Sequence, residues 1–191
     1  MSAAPRVLVT GGGRGIGRAI ALRFAREGAR VAVAARTTGE VERVAREVDA
    51  AGGQGLALVM DVTDLDAVQR GLATALEAWD ETLDVLVNNA GVFSIQPFAE
   101  LSPATWYRTL AINLTGPFHV TLLALRGLER SARAHVFNVN SVAGRQPFPG
   151  NAAYCAAKYG LRGLSDVLRL DLAAAKIRVS LFIEALPVQF Q

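Results

Sequence analysis

The sequence has one cysteine and two histidines in 191 residues, and these shortages exclude several kinds of site. A single cysteine, Cys155, excludes an internal disulfide and fits a reducing compartment, so we expect a cytoplasmic protein. We interpret Cys155 as a small buried residue of a helix. His119 and His135 lie far apart in the chain and neither accompanies an acid–cysteine cluster, so no metal site is predicted.

The chain also lacks a long apolar run, a signal-peptide pattern and a block of basic residues. No stretch is long enough to span a bilayer, so no membrane segment is predicted. The net charge is only +3 and the arginines are scattered among acids, which argues against a nucleic-acid partner. With 51% hydrophobic residues, the composition predicts a single globular domain over residues 1–191.

A glycine-rich turn follows the first apolar run. Arg6–Thr10 is short and apolar, as is typical of a strand buried on both faces, and it leads directly into Gly-Gly-Gly-Arg-Gly-Ile-Gly at residues 11–17. Glycines at such a turn let backbone N–H groups approach a phosphate, and the start of the following helix adds partial positive charge. The order of strand, turn and helix therefore predicts a dinucleotide site.

Two arginines bear on which dinucleotide is bound. Dinucleotide folds that select the unphosphorylated cofactor carry an acid after the second strand, but here Arg36 stands at that place and no acid occurs before Glu40. Arg14 lies within the glycine turn, and the two guanidiniums would bracket a 2′-phosphate. This interpretation favours NADP(H) over NAD(H). The alternative is that both are solvated surface arginines.

Polar residues end two further predicted strands. Asp61, followed by Val62, ends the third strand and either contacts an adenine or caps the turn. The run from Asn88 to Gly91, which includes Asn89 and Ala90, ends the fourth strand. Its two amides are suited to hold neighbouring strands together, and its glycine lets a cofactor lie close.

A break is predicted in the helix that starts at Ser102-Pro103. Pro117 has no N–H, so the carbonyl of Asn113 loses its helical partner and the helix kinks. A polar group released in this way needs another partner, such as a bound water. The break is therefore either a simple bend or a water site on a proton path to Lys158.

The stretch from Ser141 to Lys158 carries the chemistry. Ser141 ends an apolar strand, and after a proline- and glycine-rich loop a helix opens near Tyr154, which places Tyr154 and Lys158 on one helical face. A phenol has a pKa of about 10, and a nearby cation favours its ionised form. Lysine is otherwise rare here, since arginine fills nearly every other basic position. The alternative is an ordinary helical pair.

Strands and helices alternate six times along the chain. This order predicts a three-layer α/β fold, a doubly wound parallel sheet with helices on both faces. A ligand should lie beyond the carboxyl ends of the strands, where the polar residues described above converge.

Together these motifs resemble the short-chain dehydrogenase/reductase family, with a match from residue 6 to about residue 183. The glycine motif corresponds to residues 10–17, the Asn-Asn-Ala-Gly motif to residues 88–91, and the catalytic tetrad to Asn113, Ser141, Tyr154 and Lys158. The resemblance implies a Rossmann fold, and the overall pattern is similar to 3-oxoacyl-carrier-protein reductases and related ketone reductases of broad range. The cofactor-binding residues that the resemblance and the motifs give are Gly11, Arg14, Gly15, Ile16, Gly17, Arg36, Asp61, Val62, Asn89, Ala90, Gly91, Tyr154 and Lys158.

The resemblance also implies a role for each member of the tetrad. Tyr154 would act as general acid in carbonyl reduction, or as base in alcohol oxidation, and Ser141 would polarise the carbonyl. Lys158 would bind the nicotinamide ribose and lower the tyrosine pKa, while Asn113 would hold a water that connects Lys158 to solvent. The expected activity is therefore NADP(H)-dependent reduction of a small-molecule carbonyl to a secondary alcohol, or the reverse.

The C-terminal end departs from the family pattern. The usual Pro-Gly turn, substrate-covering segment and seventh strand are not evident after the sixth strand. Either the sequence is truncated before them, or a mobile segment is missing from it, in which case residues 186–191 would be a fragment of a later strand. We therefore expect the substrate-loop segment to be lacking. A homodimer or homotetramer is expected, with small residues of the last helix available for packing. The alternative to an enzyme is a non-catalytic dinucleotide-binding module with a redox-sensing or structural role.

Overall fold

The computed structural model describes residues 4–184, which alternate between strands and helices. The elements are β1 Arg6–Thr10, α1 Gly15–Ala25, β2 Arg30–Ala35, α2 Thr38–Ala50, β3 Gln54–Val59, α3 Leu65–Ala78, β4 Val85–Asn88, α4 Pro103–Leu110, a π-helical segment Ala111–Thr115, α5 Gly116–Glu129, β5 His135–Ser141, α6 Ala152–Asp171 and β6 Arg178–Glu184. The predictions made for residues 185–191 lie outside the described residues.

Within residues 4–184, six strands form one parallel sheet in the order β3-β2-β1-β4-β5-β6. β1 pairs with β2 on one side and with β4 on the other, so successive strands are added in opposite directions from the centre. In a sheet of this kind the crevice lies beyond the carboxyl ends of the two central strands. The predicted doubly wound α/β fold is confirmed.

Two apolar cores lie on the two faces of the sheet. Alternate residues of a strand point to opposite faces, so Val7 and Val9 of β1 join one core and Leu8 joins the other. Helices α1 and α2 cover the first core, while α3 and α5 cover the second. The inner strands β1, β2 and β4 are therefore buried on both faces, as their continuous apolar sequences predict, whereas Val59 of β3 and Phe182 of β6 are exposed at the two edges of the sheet.

Helix α1 packs on the sheet through small residues. The large apolar side chains of Ile16, Ile20 and Phe24 are only partly buried, and Ile16 is 38% exposed. The fully buried residues of the helix are Gly17, Ala21 and Ala25. Their small side chains let the helix backbone lie close to β1 and β2, which leaves Ile16 at the mouth of the crevice.

The predicted helix break takes the form of a π-helical segment. Ser102 caps α4 as predicted, its Oγ accepting from the Thr105 N–H at 3.1 Å. Further on, the Gly116 N–H bonds the Ala111 carbonyl five residues earlier. This extra residue per turn accommodates Pro117, which has no N–H to donate. The segment contains Asn113, which is buried.

A chain of buried polar side chains links helices on one face to the middle of the sheet. Asn88 Nδ2 donates to Thr121 Oγ1 at 2.9 Å and to Asn138 Oδ1 at 2.8 Å, and Asn138 Nδ2 donates to Ser165 Oγ at 2.8 Å. These bonds join α5, β4, β5 and α6. The structure thus confirms that Asn88 holds neighbouring strands together.

Asp84 connects the strands at the amino-terminal edge of the sheet, opposite the crevice. Its Oδ2 accepts from the Arg6 N–H at 2.8 Å, and its Oδ1 accepts from the Ser131 hydroxyl at 2.7 Å and lies 3.3 Å from Arg133 Nε. Burial alone would raise the pKa of Asp84, but the donors from Ser131, Arg6 and Arg133 outweigh burial and lower it. The carboxylate therefore joins the starts of β1, β4 and β5 in its ionised form.

We expect Asp84→Asn to reduce the free energy of unfolding near neutral pH by about 1–3 kcal/mol, because buried donors lose a charged acceptor. A carboxylate with a lowered folded-state pKa stabilises the fold above its unfolded pKa and loses that effect as the pH falls through its folded pKa. The difference between wild type and variant should therefore shrink on acidification below about pH 4. Urea unfolding across this pH range measures it, with the exposed Asp171→Asn as control. If the difference in unfolding free energy did not change with pH, Asp84 would not stabilise the fold as an ionised carboxylate.

Candidate functional site

A cavity of about 330 Å³ lies beyond the carboxyl ends of the central strands. It is bounded by the glycine turn after β1 and by the ends of β2, β3 and β4. Most of the predicted cofactor residues line it, namely Gly11, Arg14, Ile16, Gly17, Arg36, Asp61, Val62, Asn89, Ala90 and Gly91. Gly15, Tyr154 and Lys158 are not among the lining residues.

The glycine turn is so closely packed that side chains would not fit. Gly11 has a φ of +62°, and a Cβ there would lie 2.8 Å from the Ala90 Cα. A Cβ on Gly17 would overlap the Gly11 carbonyl oxygen and lie 2.5 Å from Asn89 Nδ2. The turn can therefore bring its backbone close to a ligand only with glycine at these positions.

The start of α1 is suited to an anion. Arg14 occupies the N-cap position, no side chain of the described chain caps the helix, and its first turn contains no acid. The first N–H groups of a helix have no partner within the helix and carry partial positive charge. Because this turn borders the cavity, its partial positive charge suits an anionic group such as a pyrophosphate.

Thr10 and Asn89 join the turn to the end of β4. Thr10 Oγ1 accepts from the N–H groups of Asn89 and Ala90 at 3.0 and 3.1 Å, and Asn89 Nδ2 donates to the carbonyls of Thr10 and Gly11 at 2.9 and 3.1 Å. The two loops that form the cavity floor are thus fixed to one another. Sequence reasoning missed the part played by Thr10, although its place at the end of β1 was a signal.

The charges around the cavity are balanced. Arg14 and Arg36 line it together with Asp61 and Glu40. Arg36 Nη1 lies 3.9 Å from Asp61 Oδ2, but both side chains are partly exposed, so solvent screens the pair. Asp61 Oδ1 also accepts from Thr63 N–H at 2.9 Å, so Asp61 caps its turn and faces the cavity at once. Glu40, which the sequence reasoning did not place in the site, lies on the cavity wall.

Tyr154 and Lys158 lie together beside the end of β5. Lys158 is 6% exposed, and its Nζ donates to the Val139 carbonyl at 2.9 Å and lies 5.6 Å from the centre of the Tyr154 ring. A cation held at this distance favours a negative charge on the phenol oxygen. Burial strengthens that influence because less solvent screens it.

Ser141 is held at the start of the loop that leads to α6. Its Oγ accepts from the Ala143 N–H at 3.2 Å, an arrangement that leaves the hydroxyl proton available for donation. The adjacent Asn140 Nδ2 donates to the Lys158 carbonyl at 3.3 Å, and a Cβ on Gly144 would lie 2.9 Å from the same oxygen. The end of β5 therefore packs directly on α6 at Lys158.

The loop after β4 connects Asn113 to Tyr154. Asn113 Nδ2 donates to the Val92 carbonyl at 2.9 Å, and its Oδ1 accepts from the Val92 N–H at 3.3 Å. The next residue, Phe93, contacts the Tyr154 ring edge-on, with ring centres 5.0 Å apart. Asn113 thus fixes the loop that covers Tyr154, a role of its side chain that the sequence did not reveal.

A second cavity, of about 370 Å³, also borders this loop. Phe93 and Ser94 line it with Arg108 of α4, and it shares Arg14, Gly91 and Val92 with the first cavity.

Among residues 4–184 no three His, Cys, Asp or Glu side chains form a group that could hold a metal ion. No helix in that same range is both long and apolar enough to cross a membrane.

The family model for short chain dehydrogenases matches residues 5–185. Sepiapterin reductase of Chlorobaculum tepidum is 33% identical over 181 residues, a match that covers 91% of this chain and 74% of that protein. The 2,5-dichloro-2,5-cyclohexadiene-1,4-diol dehydrogenase LinX of Sphingobium indicum is 36% identical over 173 residues, which cover 91% of this chain and 69% of the relative.

Solved structures of short-chain oxidoreductases and alcohol dehydrogenases superpose on most of this chain. A metagenomic short-chain oxidoreductase in complex with NADP superposes with a TM-score of 0.89 at 36% identity, covering 96% of this chain and 83% of that one. An alcohol dehydrogenase of the archaeon Thermococcus sibiricus, complexed with 5-hydroxy-NADP, has a TM-score of 0.89 at 26% identity, with 94% and 75% of the two chains covered.

Proposed function

Because this chain belongs to the short-chain dehydrogenase/reductase family, and so to the NAD(P)-dependent oxidoreductases, we propose that it interconverts a carbonyl group and a secondary alcohol with NADP(H) as cofactor. The observation that carries the proposal is the buried Lys158 ammonium beside the Tyr154 ring, at the end of β5 and next to the loop that borders both cavities. The relatives named as a reductase and as dehydrogenases act in the same general class of chemistry.

In reduction, Tyr154 donates its phenolic proton to the carbonyl oxygen as the carbon is reduced. The bound cofactor supplies the hydride. Lys158 stabilises the phenolate that remains, because its ammonium lies 5.6 Å from the ring centre and is shielded from solvent. In the oxidative direction the same phenolate accepts the proton of the alcohol.

Ser141 and Asn113 orient the reacting groups. The Ala143 N–H holds Ser141 Oγ as an acceptor, so the hydroxyl proton can be donated to the substrate oxygen. Asn113, through Val92, fixes the loop that carries Phe93 over Tyr154. We propose in addition that the Asn113 segment holds a water on a proton path to Lys158, which the local π-helical backbone favours.

For cofactor choice we propose that Arg14 and Arg36 hold a 2′-phosphate. Both arginines line the cavity, and the two solved structures named above hold NADP or an NADP derivative. Glu40 opposes them, since its carboxylate lies on the same wall and would repel a phosphate. The preference for NADP(H) over NAD(H) therefore depends on the attraction of a 2′-phosphate by Arg14 and Arg36 and its repulsion by Glu40.

Arg36→Gln should weaken NADPH binding by about five- to tenfold and leave NADH binding nearly unchanged, because only NADPH loses a charge-assisted hydrogen bond. Glu40→Gln should shift NADPH affinity in the opposite direction, by a few-fold. Parallel titrations of both nucleotides, followed by nicotinamide fluorescence, measure the effects. Equal losses for NADPH and NADH in Arg36→Gln would mean that this arginine does not bind the 2′-phosphate.

We also propose that residues 1–191 form one domain and that the chain assembles with copies of itself. Large apolar side chains are exposed on α5 and α6, the most exposed being Leu170 at 77%. Gly163 of α6 has open space where a Cβ would point, so a second helix backbone can approach there. Sedimentation equilibrium measures the number of subunits.

The second candidate is a dinucleotide-binding module without catalysis. The complete set of Asn113, Ser141, Tyr154 and Lys158 argues for the enzyme. A chain that binds NADPH but reduces no ketone, aldehyde or oxoacyl thioester of a broad panel would favour the module. The substrate panel and the nucleotide titration therefore separate the two functions.

A further inference from the structure

A row of charged side chains on α2 lies against the glycine turn. Arg43 Nη2 donates to the Gly13 carbonyl at 2.9 Å, and Arg43 Nη1 lies 2.7 Å from Glu47 Oε1. The other oxygen of Glu47 accepts from Arg18 Nε of α1 at 2.5 Å. Glu47 therefore joins the arginine that holds the turn to the helix that begins at the turn.

The bond to Gly13 fixes one peptide of the turn. A trans peptide directs its C=O and its N–H to opposite sides, so a Gly13 carbonyl held toward α2 turns the Arg14 N–H away from α2. Gly13 and Arg14 both line the cavity, whereas Arg43 is not among the lining residues. A change at Arg43 would therefore reach a ligand through the turn.

Glu40 packs against the same turn residue. A Cβ on Gly13 would lie 2.9 Å from Glu40 Cβ and 3.0 Å from Glu40 Oε2. Gly13 thus packs against both Glu40 and Arg43, which lie three residues apart on one face of α2. Neither contact is part of the glycine motif itself.

We propose that Arg43, held by Glu47, is a positioning residue for dinucleotide binding. It holds the Gly13–Arg14 peptide in the orientation that presents Arg14 and the first amides of α1 to the phosphates at the adenosine end, and it makes no contact with the ligand. This requires only that the chain binds a dinucleotide; it does not depend on the preference for a 2′-phosphate or on the reaction.

The charge state of Glu47 fits this role. The hydrogen bond from Arg18 lowers the pKa of Glu47, and the bond from Arg43 lowers it further against the opposing effect of desolvation. Glu47 is thus ionised around neutral pH and holds both guanidiniums. The Arg43 guanidinium bonds Glu47 and the Gly13 carbonyl, so it is not extended toward a phosphate as a direct ligand would be.

Two variants and two matched controls test the proposal. Arg43→Ala removes the donor to Gly13, and Glu47→Gln keeps Arg43 but removes the charge that holds it. The controls are Arg46→Ala and Glu42→Gln, which make the same changes at exposed positions of α2 with no ion pair in the described chain. Calorimetric titrations with NADPH, NADH and adenosine 2′,5′-bisphosphate measure binding, and urea unfolding without ligand measures stability.

We expect Arg43→Ala and Glu47→Gln each to lower the affinity for all three ligands by about fivefold, which is the scale of one hydrogen bond. The affinities of the two control variants should equal those of wild type. Arg43→Lys, which can still donate to Gly13, should recover part of the loss. Tighter binding in Glu47→Gln would overturn the proposal, because a released Arg43 would then be a direct phosphate ligand. Losses equal to those of Arg46→Ala would overturn it too, since only net charge would matter.

Wild-type binding separates this inference from the proposed function. If the wild-type chain binds neither nucleotide, both fail. If wild type binds and Arg43→Ala binds equally well, only the positioning role is wrong.

Discussion

Replacing Tyr154 with phenylalanine is expected to lower kcat for carbonyl reduction by about a thousandfold, within the range for loss of a general acid, while NADPH binding stays unchanged. Phenylalanine keeps the ring and its edge contact with Phe93, whose ring centre lies 5.0 Å away, so only the proton-donating hydroxyl is lost. Steady-state turnover and a fluorescence titration with NADPH, made on the same sample, measure the two quantities.

The control for this variant is Tyr159→Phe, which removes a hydroxyl from an exposed position of the same helix. It should keep wild-type turnover. If Tyr154→Phe also kept most of its turnover, the proton would have to come from another group and the mechanism would be wrong. If it lost NADPH binding as well, the hydroxyl would serve the cofactor rather than proton transfer alone.

Replacing Gly17 with alanine should weaken NADPH binding by about a hundredfold or more. The added Cβ would overlap the Gly11 carbonyl oxygen and lie 2.5 Å from Asn89 Nδ2. Neither group can move away easily, because Asn89 Nδ2 donates to the carbonyls of Thr10 and Gly11. Relief requires the turn to open, which displaces the backbone that approaches the pyrophosphate and costs stability of about 1–3 kcal/mol. Titration with NADPH and urea unfolding measure the two effects.

The matched control is Gly39→Ala in the first turn of α2, where a Cβ would meet no atom within 4 Å. It should bind NADPH like wild type and be equally stable or slightly more so, since alanine favours a helix. Wild-type affinity in Gly17→Ala would mean that the dinucleotide does not lie on the glycine turn, and the cavity would need another ligand.

The sequence predicted those features that depend on local pattern. The buried strands follow from continuous apolar runs such as residues 6–10, and the turn follows from its glycines. The break near Asn113 follows from the missing N–H of Pro117, although its π-helical form does not. Each of these features is determined by residues close together in the chain, which is why the sequence reveals it.

Contacts between distant elements were not predictable in the same way. Glu40 and Arg43 meet Gly13 only because α2 packs beside α1, and Phe93 meets Tyr154 only because Asn113 fixes the loop after β4. The spacing of Glu40, Arg43 and Glu47 did mark one face of α2, but nothing in the sequence showed what that face contacts. The register of packed helices decides such contacts, and side-chain pattern alone does not reveal that register.

Transfer of deuterium from NADPH to product tests the central claim most directly. The chain is incubated with NADPH deuterated at the reactive carbon and with a panel of ketones, aldehydes and oxoacyl thioesters, and mass spectrometry then measures deuterium in the alcohols formed. The account predicts an alcohol with deuterium on the former carbonyl carbon from at least one substrate, and almost none with Tyr154→Phe. A wild-type chain that binds NADPH but transfers deuterium to no member of the panel would contradict it, and would favour the non-catalytic module.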